Sequence, residues 1–176
     1  HWARAAGVPV MLNPAPATEL DGELLSLVSC LIPNEQEASQ ETHLPLRIGA
    51  DGPQEADLEA IVSALQGKGV EDIIITLGEY GSVVSTPTGL QHVASVHMSH
   101  VADPTAAGDS FVGALATGLS VGLTQAEALA FASHTAAITV SRLGAMPSLP
   151  TLAEVLDLIA QRECASIPLS PLKTLL

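Results

Sequence analysis

Along the first hundred residues the apolar positions fall into short runs separated by Gly, Pro and polar clusters. Val8 to Asn13 (VPVMLN), after Gly7, reads as a buried strand, and NPAPA at 13–17 as the loop at its end, because Pro14 and Pro16 have no N–H to give a helix. Glu19 to Ser29 is predicted helical, and Cys30 to Pro33 a short strand ended by proline. Asn34 then opens NEQEASQ, with Glu37 three residues on, which is capping-box spacing. Residues His43 to Pro53 read as irregular. Pro53 to Leu65 shows the 3.6-residue period, with Leu58, Ile61, Val62 and Leu65 on one face, and Gly67 and Gly69 stop it. Asp72 to Leu77 (DIIITL) is a β-branched run with the look of a strand buried on both faces. Ser82–Ser85 and His92–His97 suggest a less buried, partly antiparallel pair.

The second half reads as helices. A polar loop around Asp103 runs into an apolar helix predicted over 109–121. Thr124 with Glu127 and Thr151 with Glu154 repeat the capping-box spacing, for helices to about Leu143 and about Gln161. The tail, 164–176, carries two prolines and is expected to be loosely attached. Strands alternating with helices predict an α/β fold with a largely parallel sheet, in which ligands sit beyond the carboxyl ends of the strands. The loops at those ends are 13–17, 33–37, 77–81 and 103–109.

Composition sharpens this picture. Hydrophobic residues make up 47% of the 176 positions and aromatics 2%, so the core must be built from Ala, Leu, Val and Ile. A net charge of −13 argues against a nucleic-acid partner, which needs clustered Lys and Arg. It leaves room for an anionic small molecule held by backbone N–H groups. No run of eighteen apolar residues is present, so no membrane span is expected. Cys30 and Cys164 lack metal or redox spacing and read as ordinary thiols of a reducing, cytoplasmic compartment. The six histidines show no metal-ligand spacing, and His134, on an Ala-rich helix, is read as structural. The chain opens on His1 in what looks like the end of a helix, and a piece of a longer protein is the expectation.

The chemistry concentrates in VADPTAAGDSFVGALATG, residues 101–118. Helix starts have N–H groups without intrahelical acceptors, and the small residues Ala106, Ala107 and Gly108 would let an anion reach them. A carboxylate there repels phosphate, so Asp109 needs its own explanation. Two readings fit: a helix cap, or a general base that takes a hydroxyl proton while the N–H groups hold a phosphoryl group.

The motif DPTAAGDSF resembles the D-T-x-[GA]-A-G-D-x-F signature of the ribokinase (PfkB) family of carbohydrate kinases. NPAPA at 13–17, PNEQEA at 33–38, TLGEYG at 76–81 and GAMPSLP at 144–150 are similar to further ribokinase segments in the same order. The resemblance implies a three-layer, Rossmann-like ribokinase fold, with helices on both faces of a mostly parallel sheet and residues 1–163 forming the C-terminal, nucleotide-binding portion. It implies an ATP-dependent kinase acting on a sugar hydroxymethyl group, D-ribose in particular, with fructose or a nucleoside as the alternative acceptor and a non-catalytic ATP-binding fragment as the alternative function.

Carried over position by position, Asp109 is the base, and the N–H groups of Ala106, Ala107, Gly108 and Asp109 form the anion hole. Asn34 and Glu37 organise Mg2+ and the ATP phosphates through water. Thr76, Gly78 and Gly81 shape the nucleotide loop, and Ser133 lies beside the adenine. A K+ ion is implied next to the anion hole, at Asp103, Thr105, Thr139, Arg142, Gly144 and Ser148, mostly through carbonyls. Pro104 stands where the family usually has Thr, and Ser133 where some ribokinases have His. The family's Gly-Gly sugar motif and its β-lid, through which the family dimerises, have no counterpart in this sequence.

Overall fold

The computed structural model describes residues 1–162, 164 and 166–176. The chain divides into two compact units, His1–Ala94 and Ser95–Leu176. The boundary expected at 163 falls on a residue outside the described ones.

The first unit begins with a single helical turn, α1 (Trp2–Ala5), and alternates β1 (Met11–Leu12), α2 (Gly22–Leu27), β2 (Cys30–Leu31), α3 (Glu35–Thr42), a small hairpin of β3 (Ile48–Gly49) and β4 (Gly52–Pro53), α4 (Glu55–Gly67), β5 (Asp72–Thr76), a 3-10 turn at Gly78–Tyr80, and β6 (Ser82–Thr86) with β7 (Gly89–Val93). Its sheet has the order β1-β2-β5-β6-β7. β1, β2 and β5 run parallel, in register Met11 with Cys30 and Leu31 with Ile73. β6 and β7 are antiparallel, as Ile75 opposite Val83 and Val83 opposite His92 record. The α/β expectation, with a parallel core and an antiparallel margin, is the architecture observed.

Period and packing agree in this unit. Leu58, Ile61, Val62 and Leu65 form the buried stripe of α4 and meet Ile73, Ile75 and Val83 of the sheet, Leu25 of α2 and Ala38 of α3. Each fully buried Leu or Ile side chain there contributes roughly 1.5–3 kcal/mol. Ile74, on the opposite face of β5, is also buried, so this strand is apolar on both sides as its sequence predicts. β6 departs from expectation: Ser82 to Ser85 are all buried, and β7, exposed at Gln91 and His92, carries the polar face of the pair. The segment read as irregular also contains structure. Asp57, on α4, accepts hydrogen bonds from the backbone N–H, Nε and guanidinium of Arg47, and so anchors the strand approach to the β3–β4 hairpin.

The second unit is helical: α5 (Ala107–Ser120), α6 (Gln125–Val140), a 3-10 turn at Met146–Ser148, α7 (Leu152–Gln161) and α8 (Leu169–Lys173). The capping boxes expected at Thr124–Glu127 and Thr151–Glu154 are present. α5 and α6 cross closely at Gly118, where an added Cβ would stand 3.1 Å from Ala128 Cβ. In the tail, Ile167 and Leu172 are buried. No helix among the described residues is long and apolar enough to cross a membrane.

Candidate functional site

Parallel strands aim the loops at their carboxyl ends, and in the first unit β2 and β5 bring two predicted segments side by side. Asn34 forms a parallel bridge with Thr76, and the Thr76 N–H donates to the Pro33 carbonyl at 2.9 Å. The Asn34–Glu37 capping box is closed in both directions: Glu37 N–H donates to Asn34 Oδ1 at 2.9 Å, and Asn34 N–H donates to Glu37 Oε2 at 2.8 Å. Glu37 is 6% exposed, and its Oε1 has no hydrogen-bond partner among the described residues. Glu35, two residues earlier, is half-buried; burial and then the nearby Glu37 charge push its carboxyl above the ordinary carboxylate range. Its Oε1 lies 3.8 Å from where a Cβ on Gly78 would be. Glu35 was passed over in the sequence, where it reads only as a first-turn acid favourable to the helix dipole.

The 3-10 turn at 78–80 needs its glycines. Gly78 has φ +55° and Gly81 φ +85° with ψ −125°, the latter a conformation open to glycine alone, and the Leu77 N–H donates to the Gly81 carbonyl at 2.8 Å to close the loop. Asn34, Glu37, Thr76, Gly78 and Gly81 therefore share one end of the first unit's sheet.

In the second unit the predicted turn is built in an unexpected way. Helix α5 starts at Ala107, two residues earlier than predicted, and Ala106 occupies its N-cap in the left-handed region, φ +63°. For alanine that conformation costs roughly 1–2 kcal/mol. No side chain caps the helix: Asp109 sits in its first turn, exposed, with no hydrogen-bond or ion-pair partner among the described residues. The cap reading of Asp109 is thereby set aside. The N–H of Ala107 donates to the Pro104 carbonyl at 3.2 Å, whereas those of Ala106, Gly108 and Asp109 have no acceptor among the described residues. A Cβ built on Gly108 would meet nothing within 4 Å, so the space over this turn is open. Of the four N–H groups expected in an anion hole, three are free and one is engaged. The first turn of a fourteen-residue helix, with small side chains and free N–H groups, is suited to an anion, and a free carboxylate beside it is suited to accept a proton.

Several of the residues expected around a monovalent cation lie near this turn. Asp103 Oδ1 accepts the Thr105 N–H at 2.9 Å, and its Oδ2 accepts the Gly144 N–H at 3.0 Å, tying the loop before α5 to the one after α6. The Thr105 side chain and these N–H groups hold the Asp103 carboxyl below its ordinary range. Arg142 points elsewhere: its guanidinium pairs with Glu154 Oε1 at 2.6 Å. Ser148 donates to the Ala145 carbonyl within its own turn. Thr139 is fully buried, its hydroxyl bonded to Ser110 Oγ at 3.0 Å. Ser133 is buried and its hydroxyl donates to the Leu129 carbonyl four residues back. His134 Nδ1 lies 2.8 Å from the Ala130 carbonyl, and burial pushes its pKa down, which suits a packed, neutral ring. Among the described residues there is no group of three or more His, Cys, Asp or Glu able to hold a metal.

The chain belongs to the pfkB family of carbohydrate kinases, whose family model matches residues 1–152. It is 36% identical over 154 residues to the ribokinase of Staphylococcus aureus, covering 87% of this chain and 48% of that protein. The ribokinase of Schizosaccharomyces pombe is 38% identical over 155 residues, covering 87% and 47% respectively. Among solved structures, Arabidopsis thaliana ribokinase complexed with ribose and ATP superposes with a TM-score of 0.80 at 31% identity, over 88% of this chain and 48% of that one. Ribokinase from Thermotoga maritima gives 0.77 at 30% identity, over 90% and 51%. The chain thus spans about half the length of these relatives.

Proposed function

We propose that this chain carries the nucleotide- and phosphoryl-handling portion of an ATP-dependent sugar kinase, one that converts D-ribose to ribose 5-phosphate. The observation that carries the reading is the uncapped first turn of α5, with the free N–H groups of Ala106, Gly108 and Asp109 beside the unpartnered Asp109 carboxylate. The ribokinase relatives, one of them complexed with ribose and ATP, support the choice of substrates. In this reading Asp109 takes the proton of the sugar hydroxymethyl. The oxygen attacks the γ-phosphorus, the β,γ P–O bond breaks, and ADP leaves with that electron pair. The N–H groups of the turn hold the transferring phosphoryl oxygens, an interaction worth about 2.7–4 kcal/mol per donor in comparable sites.

Glu37, which keeps one oxygen free, would hold Mg2+ with Asn34 through water. Thr76, Gly78 and Gly81 would seat the nucleotide, and Ser133 would meet adenine without offering its proton, since its hydroxyl already donates to the Leu129 carbonyl of its own helix. The K+ site would draw on Asp103, Thr105, Thr139, Arg142, Gly144 and Ser148. Because both Asp103 oxygens already accept N–H groups, the cation would rest mainly on carbonyls. When bound, the two ions supply positive charge against the phosphates.

One fact favours a second reading. The chain spans only about half of its relatives, so it would bind ATP without turning over a sugar on its own. ATP consumption by the 176-residue chain with D-ribose, Mg2+ and K+ separates the two. Ribose-dependent turnover that falls by about 10²–10⁴-fold in Asp109→Asn, with ATP binding kept, supports the kinase reading. ATP binding without turnover supports the binding module, and absence of any ATP binding sinks both.

A further inference from the structure

A helix whose cap residue is a left-handed alanine, with no capping side chain, must be held in shape by something else. In α5 the hold comes from beneath. The Ser110 hydroxyl, 7% exposed, donates to the Ala107 carbonyl at 2.9 Å, inside the very turn that presents the free N–H groups. The Thr139 hydroxyl, fully buried on α6, donates to Ser110 Oγ at 3.0 Å and also lies 3.1 Å from the Thr135 carbonyl of its own helix. Buried Ser and Thr hydroxyls in helices commonly bond only the carbonyl four residues back. Ser133 and Thr135 of α6 do so. Thr139 differs because it crosses to the neighbouring helix and ends on the site's first turn.

We infer that Thr139 and Ser110 form a buried hydroxyl relay, Thr139 to Ser110 to the Ala107 carbonyl, that positions the 106–109 turn to receive an anion. The pair are positioning residues: neither hydroxyl touches the ligand. The role in ligand binding rests on the proposed function; the mechanical role does not. The relay orders the carbonyl of Ala107, and through the Ser110 N–H bond to the Ala106 carbonyl at 2.9 Å it also bears on the left-handed residue. Each hydroxyl keeps a carbonyl acceptor when the other is removed, Ala107 for Ser110 and Thr135 for Thr139, so a single substitution removes the link between the two helices rather than orphaning its partner.

The test uses the isotopically labelled chain and four variants: Thr139→Val, which keeps the shape and removes the hydroxyl; Ser110→Ala; Thr139→Ser, which restores the hydroxyl; and Thr135→Val, which removes a hydroxyl of α6 that does not reach α5. Two readouts are taken. Without ligand, protection of the position-110 amide, taken relative to the intrinsic rate of the residue there, is expected to fall about tenfold in Thr139→Val and Ser110→Ala, with Leu115 in mid-helix unchanged, and to return in Thr139→Ser. Thr135→Val should leave it alone. In a titration with ATP, the Gly108 and Asp109 amide shifts should report an affinity weakened about fivefold in the first two variants and rescued in Thr139→Ser. Unchanged exchange at Ser110 overturns the relay. Faster exchange with unchanged affinity overturns its role in positioning the site. If ATP moves neither amide in the wild-type chain, the proposed function fails at this turn, and exchange alone then upholds or overturns the relay.

Discussion

Two carboxylates in this molecule, Asp57 and Glu154, are held down to about 2, and in each case the largest cause is a hydrogen bond from one arginine: Arg47 for the first and Arg142 for the second. Glu154 also accepts from Thr151 in its capping box. The sign of their effect on stability follows from linkage. A folded carboxyl that binds its proton less readily than the unfolded chain does contributes stability that is complete above the unfolded value, near 4–4.5, and is lost as pH falls through about 2. The melting temperature is therefore expected to drop between pH 4.5 and 2, and to drop less steeply in Asp57→Asn and Glu154→Gln, both of which start lower at pH 7. Equal slopes in wild type and variants would remove these pairs from the account. The thiols offer a second residue-scale expectation. Burial, and then the charge of Asp72, push Cys30 up to about 12, whereas Cys164 is partly exposed. Native protein at pH 8 should release one equivalent in a thiol assay quickly and the second only on unfolding.

At the scale of elements, α5 contains a matched pair of glycines with opposite meanings. Gly113 is exposed and a Cβ there meets nothing within 4 Å, while Gly118 is buried with Ala128 Cβ at 3.1 Å, Leu123 Cδ1 at 3.2 Å and Ala128 Cα at 3.3 Å. Replacing glycine by alanine inside a helix gains up to about 1 kcal/mol from propensity. Gly113→Ala should show that gain. At Gly118 the α6 backbone would have to retreat, and overpacking of this kind costs about 1–3 kcal/mol, so destabilisation wins. Chemical denaturation of the two variants should give opposite signs. A shared sign would mean that α5 and α6 do not pack as closely as described. The capping box of α3 belongs to this scale as well: Asn34→Ala should cost about 1 kcal/mol by the same measurement.

Such local devices are what the amino-acid sequence makes legible. All three capping boxes, the α4 stripe and the apolar β5 were readable because each depends on residues three or four apart, or on one strand's own composition. The β3–β4 hairpin was not, since Arg47 finds its anchor ten residues away on α4. The start of α5 was misplaced because no local rule puts alanine in a left-handed cap. The Thr139–Ser110 bond joins positions 29 apart and could be seen only once α6 lay against α5. The candidate site divides the same way: its residue types stand out in the motifs, while the bond from the Gly144 N–H to Asp103 Oδ2, across 41 positions, is a tertiary fact.

At the scale of the whole molecule the decisive quantity is charge. A chain of net charge −13 repels free ATP at long range, and the turn at 106–109, proposed to hold phosphate, offers N–H groups with no Lys or Arg of its own. These two effects have different ranges. At an ionic strength of about 0.01 M the screening length is about 30 Å, so charges over the whole surface contribute to the repulsion; at about 0.15 M it is about 8 Å, and only the local donors and nearby carboxylates remain. A phosphate site lined by Lys and Arg loses affinity as salt rises. The site proposed at 106–109, which has neither, should gain it. ATP affinity measured without Mg2+ is expected to rise severalfold between these two ionic strengths. Salts of a large organic cation and of K+ should be compared, so that screening is separated from any specific effect of K+. A fall in affinity with the organic salt would mean that the nucleotide is held by cationic side chains, and the backbone turn of α5 would lose its place as the phosphate site.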